Sequence, residues 1–269
     1  MTPEITIRSG KAGPTAYSVA GEGEPVVLVH GVGMARAIWA PQAEQLSRTH
    51  QVVSYDLLGH GDSELPPEGV TLQDYAVQLR DLLDHLDIGA ANLVGHSMGA
   101  LVVLEFALSH PQRTLRVAAL NAVFERTAEQ RAGVEARAAA LRTEGPAATL
   151  EQTLERWFGD PVPPPLQEAA ALTARLLASV DPLGYARTYE LFARSDRAHA
   201  QRLQGLAMPA LFMTGEHDLN SSPAMSSAMA QRAPQGRSEV IAGARHMMNV
   251  THPQQVTDAL AGFMGGPPR

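Results

Sequence analysis

The stretch that most constrains this chain is NLVGHSMGALVVLEFAL, residues 92–108. An apolar run stops at Gly95-His96-Ser97-Met98-Gly99, and apolar residues then resume at helical spacing. A buried strand that turns at once into a buried helix needs a tight bend. Glycines on either side of the serine permit it, because neighbouring backbone can approach a residue that has no Cβ. Ser97 is then held out at the tip of a strained turn, which is the geometry of a nucleophile elbow. The helix that follows directs the positive end of its dipole at the same point.

The pattern around the elbow alternates. Ile5–Arg8 and Thr15–Val19 read as an N-terminal hairpin, and residues 25–31 (PVVLVHG) and 50–56 (HQVVSYD) as strands. Leu72, Tyr75, Ala76, Leu79, Leu82, Leu83 and Leu86 mark one face of a helix. Residues 91–96 and 115–122 are strands again, with a helix over 100–109 between them. Alternating strands and helices with short connections predict a mostly parallel central sheet flanked by helices, an α/β fold. Residues 123–203 then carry Ala, Arg, Glu and Leu at helical spacing, with one break at GDPVPPP (159–165) and no strand pattern. We read them as a helical lid inserted in a core made of 1–122 and 204–269. The core resumes with strands at 208–218 and 237–243 and a closing helix at 252–264, and the tail GGPPR is expected to fray.

A serine hydroxyl needs a base. His246, in GARHMMN, follows the last strand and precedes the last helix, so it belongs at the same sheet edge as Ser97. The base needs an acid to fix its tautomer. TGEHD (214–218) ends the preceding strand there; Asp218 is the first choice and Glu216 the alternative. A further acid position, after the strand 115–121, holds Asn121. Two backbone N–H groups could hold an oxyanion: that of Val32 in VHGVG (29–33), and that of Met98 just past the serine.

Together these pieces carry a resemblance. HGVG, YDLLGHGDS (55–63), GHSMG, TGEHD and ARHMMN stand in the order found in the α/β-hydrolase superfamily, over nearly the whole chain. Within YDLLGHGDS, the resemblance implies that Asp56, His60 and Asp62 build a turn and are not catalytic. The chain is similar to small lid-bearing members: enol-lactonases of the 3-oxoadipate type, esterases, and carbon–carbon hydrolases of ring-cleavage products. HMMNVTHP (246–253) and LNAVFERTAEQR (120–131) also resemble aminoacrylate or carbamate hydrolases of pyrimidine degradation. The resemblance implies a Ser97–His246–Asp218 triad, an acyl-enzyme and no cofactor or metal. The alternatives are carbon–carbon bond hydrolysis by the same triad, perhydrolase or haloperoxidase side activity, and a ligand receptor built on the same fold.

Composition narrows the partners. The net charge of −7 argues against nucleic acid and anionic membranes, and the chain has no cysteine. No run approaches the length of a membrane span and the N-terminus has no signal-peptide core, so a cytoplasmic protein is expected. The expected partner is a small-molecule substrate; the oligomeric state is not legible in the sequence. Trp157, Phe158, Tyr185, Tyr189 and Phe192 are the bulky lid residues expected to line its pocket or to form the lid's own core. If the substrate bears a carboxylate, Arg126 or Arg187, with Arg36 as a third choice, is the expected anchor. Apart from Lys11, however, every Lys/Arg position is arginine, so arginine alone singles out little.

Overall fold

A computed structural model describes residues 6–265. Ile5, the expected start of the first strand, and residues 266–269 of the expected frayed tail lie outside the described residues. The sheet has eight strands: β1 (Ile7–Ala12), β2 (Thr15–Ala20), β3 (Glu24–Val29), β4 (His50–Tyr55), β5 (Ala91–His96), β6 (Thr114–Leu120), β7 (Ala210–Gly215) and β8 (Gly236–Ile241), in the order β1-β2-β4-β3-β5-β6-β7-β8. β2 runs antiparallel to β1 and β4, and every other pair is parallel. The eight expected strands are all present. The first is longer than its apolar pattern suggested, because its exposed residues are held by pairing with β2 as far as Ala12–Thr15.

Burial explains the continuous apolar runs. Every residue of β5 and β7 is buried, as expected for inner strands covered on both faces. The helix α3 (Met98–Ser109), directly after Ser97, is buried nearly all round. It packs on α2 (Leu72–His85), whose start is fixed by a capping box between Thr71 and Asp74. Two flanking helices had no clear periodicity in the sequence. α1 (Ala40–Leu46) is two turns long, and α8 (Pro223–Arg232) is rich in serine and alanine.

Between β6 and β7 the described residues form helices and loops only: α4 (Ala128–Glu144), α5 (Leu150–Phe158), α6 (Gln167–Ser179) and α7 (Pro182–Arg194). The expected break at 159–165 separates α5 from α6, with Gly159 ending α5 at positive φ. A helix α9 (Met248–Thr251) precedes α10 (Pro253–Met264), which packs on α1.

The topology locates the site. β3 connects through α1 to β4 on one side, whereas β5 connects through α3 to β6 on the other. The chain therefore leaves the carboxyl ends of these two adjacent parallel strands in opposite directions, opening a crevice at that edge. Ser97 follows β5 and Val32 follows β3.

Candidate active site

Ser97 sits at φ 55°, ψ −113°, a conformation that costs a non-glycine residue roughly 1–3 kcal/mol. Its N–H donates to Leu120 O at 2.8 Å, which ties the bend to β6. Both flanking glycines are required sterically. A Cβ on Gly95 would collide with the Gly99 carbonyl, and one on Gly99 with the carbonyls of Val29 and His30 at the end of β3.

The loops after β7 and β8 meet beside it. His246 Nδ1 donates to Asp218 Oδ2 at 2.9 Å, and both residues are buried. Asp218 Oδ2 also accepts from Asn121 Nδ2 at 2.8 Å, and Oδ1 from the Asn220 N–H at 2.7 Å. Burial by itself would push the Asp218 carboxyl up. The adjacent His246 and the hydrogen bonds from His246, Asn121 and Asn220 outweigh it and hold the group below the usual carboxylate range. Asn121, the residue at the other acid position, thus supports Asp218. Glu216 is half-exposed and accepts from the Gly243 N–H, away from His246.

Three buried, neutral histidines shape the surrounding loops. His96 Nε2 donates to His246 O at 2.8 Å, and its pKa is pushed down to about 3 by burial and by the nearby His246. His30 Nδ1 donates to Gly31 O and its Nε2 accepts from the Leu57 N–H; burial lowers it to about 4. His60 Nε2 accepts from the Gly33 N–H at 2.9 Å, and burial followed by the neighbouring His30 lowers it to about 3. The loop carrying Val32 is therefore pinned from both sides. Among the described residues, neither the Val32 nor the Met98 N–H is engaged by a protein acceptor. Asp56 is fully buried, bonded to the Arg36 side chain and to the Arg36 and Asp62 N–H groups, so YDLLGHGDS builds a turn.

A cavity of about 360 Å³ is lined by Val32, Ser97 and His246 from loops at the sheet edge, and by Arg126, Trp157, Tyr185, Tyr189 and Phe192 from the helices and loops between β6 and β7. Trp157 stacks on the His246 ring. Among the described residues, no three His, Asp or Glu side chains are grouped as a metal ligand set.

The family model described as the alpha/beta hydrolase fold matches residues 24–253. This chain belongs to the α/β-hydrolase family. The hydrolase is 37% identical to the (E)-2-((N-methylformamido)methylene)succinate hydrolase of Acinetobacter baylyi, over 92% of this chain and 93% of the relative. It is 29% identical to 3-oxoadipate enol-lactonase 1 of the same organism, over 97% and 96% of the two chains. The crystal structure of the enol-lactonase from Burkholderia xenovorans superposes with a TM-score of 0.86 at 30% identity, covering 94% of this chain and 96% of that one.

Not every residue singled out in the sequence reaches the hydrolase's cavity. Arg187 donates to Pro66 O and lines a separate cavity of about 480 Å³ that holds neither Ser97 nor His246. Arg36 is held by Asp56 and Asp62. Phe158 is buried in the hydrophobic core. Arg126 lines the cavity, but its guanidinium donates to the carbonyls of Phe192 and Ala193, lies 3.9 Å from Asp196 and stacks over Phe192. The hydrolase presents two other arginines there, Arg137 and Arg156. Their signal was spacing: Gln130, Gly133, Val134 and Arg137 share a face of α4, and Thr153, Arg156 and Trp157 a face of α5.

Proposed function

We propose that this hydrolase cleaves a small-molecule ester, lactone or amide through an acyl-enzyme on Ser97. The observation that carries the reading is that a positive-φ Ser97 shares a cavity with His246, whose Nδ1 donates to the buried Asp218 at 2.9 Å. His246 takes the Ser97 proton as Oγ bonds to the carbonyl carbon. Asp218 fixes the tautomer and stabilises the imidazolium. The N–H groups of Val32 and Met98 receive the oxyanion. Collapse of the tetrahedral intermediate expels the leaving group, which takes the proton from His246. Water, deprotonated by His246, then attacks the acyl-enzyme, and Ser97 leaves with that proton.

Residues 123–203 act as a lid, through which the substrate is chosen. The relatives' names denote a hydrolase of a succinate derivative and an enol-lactonase of 3-oxoadipate, which supports a small carboxylate-bearing substrate. The test is a panel of p-nitrophenyl esters, enol-lactones and small amides with product analysis, run on the wild type and on His246→Ala. Turnover that depends on His246 supports the reading, and turnover indifferent to it overturns it.

A further inference from the structure

We propose that Arg137 and Arg156 are a two-point anchor for a small dicarboxylate, holding it against the inserted helices with its acyl group over Ser97. This specifies the substrate class of the hydrolase reading above and rests on it only for the word substrate.

Both arginines line the Ser97 cavity, from different helices, and both are half-buried. Among the described residues neither has a carboxylate within salt-bridge distance, unlike Arg126 and Arg131, which share Asp196. Arg137 Nε donates to Tyr189 Oη at 3.1 Å, and Arg156 Nη2 to Thr153 Oγ1 at 3.2 Å; neither acceptor is charged. Arg156 Nε is buried with no partner among the described residues. A buried guanidinium donor left unpaired beside the cavity, with no carboxylate near either arginine among the described residues, points to a missing acceptor. Glu129 is the one acidic residue of the lining; it is exposed and pairs with neither arginine.

Charge argues for two carboxylates. Burial, and then the like charge of Arg137, hold the Arg156 guanidinium below its ordinary range. Two neighbouring cations in a cavity, with Arg126 beside them, repel each other until anionic charge is placed between them. A ligand of charge −2 balances the two unpaired guanidiniums, and each can bind a carboxylate through two parallel N–H groups. A cavity of about 360 Å³ limits the ligand to a small molecule.

Calorimetric titration of the wild type with succinate, butyrate and succinamide tests the anchor. Succinate should bind most tightly, and its affinity should fall with salt. Arg137→Ala and Arg156→Ala should each weaken succinate by about ten-fold or more. The Lys variants, which keep the stem and the charge, should recover part of that loss. Arg187→Ala, outside the cavity, should bind succinate as the wild type does. Succinate binding no better than succinamide, or unaffected by either cavity arginine, overturns the anchor. Turnover of p-nitrophenyl acetate is followed alongside. Ser97-independent turnover with arginine-dependent succinate binding overturns the hydrolase reading and leaves the anchor standing. Ser97-dependent turnover with succinate ignored does the reverse.

Discussion

Trp157 of α5 lies stacked on the ring of His246, with centroids 5.3 Å apart and planes 29° from parallel. The contact joins the helices between β6 and β7 to the proposed base. An aromatic face attracts a cation by about 0.5–2 kcal/mol, so Trp157 favours the imidazolium formed during acyl transfer over the resting imidazole. Trp157→Ala should therefore lower kcat by roughly 3- to 30-fold, while Trp157→Phe keeps most of it. Steady-state kinetics on the two variants check this; equal losses in both would contradict a role for the aromatic face.

Asp218→Asn should reduce kcat by roughly two to four orders of magnitude, because an amide cannot hold the imidazole tautomer as a carboxylate does. Glu216→Gln should change kcat little, because Glu216 is half-exposed and accepts from the Gly243 N–H, away from His246. The reverse ranking would move the acid to Glu216.

Ser97→Gly should be more stable than Ser97→Ala. Glycine relieves backbone strain of about 1–3 kcal/mol at φ 55°, whereas its extra freedom in the unfolded chain costs about 0.4–1 kcal/mol. Strain relief wins by roughly 1 kcal/mol. Denaturant unfolding of both variants measures the difference; a less stable glycine variant would mean that the elbow is unstrained.

Stability should fall steeply in mild acid. His30, His60 and His96 are held neutral, with pKa values lowered to about 4, 3 and 3. Unfolded, each would titrate near about 6.5. The unfolded chain then binds more protons between about pH 6.5 and pH 4, so stability is fully present above that window and is lost as pH falls through it. The slope is about 1.4 kcal/mol per pH unit for each histidine charged only on unfolding, approaching about 4 for the three together. Asp218, whose carboxyl is lowered, adds a loss below about pH 4 for the same formal reason. Protonating His60 would also set an N–H against the Gly33 N–H and release the Val32 loop. Unfolding free energies measured against pH test this, and His60→Gln should remove about a third of the slope. A flat profile from pH 7 to pH 5 would contradict it.

What the sequence reveals about this molecule depends on whether a residue's task is set by its immediate neighbours. The elbow was legible because Gly95 and Gly99 answer to backbone beside them in the fold, and no other residue fits. The pairing of His246 with Asp218 was legible because both lie in loops that follow recognisable strands at the same sheet edge. α8 was not, because its stability comes from packing on β7 and β8 and its own pattern is weak. Arg137 and Arg156 were not singled out, although Arg126 in the same cavity was, because their meaning lies in which arginines lack an acid. Arg126, Arg137 and Arg187 look alike in the chain, and only tertiary contacts separate them.

The nucleophile is the central claim, and active-site labelling tests it most directly. A fluorophosphonate should add its mass once, on the peptide containing Ser97, and turnover of the best substrate should cease in step with labelling. Ser97→Ala should take up no label, keep the wild-type fold by circular dichroism, and lose roughly 10⁴- to 10⁶-fold in kcat. Label on another residue, or a Ser97→Ala protein that retains more than about a tenth of the activity, would contradict the account.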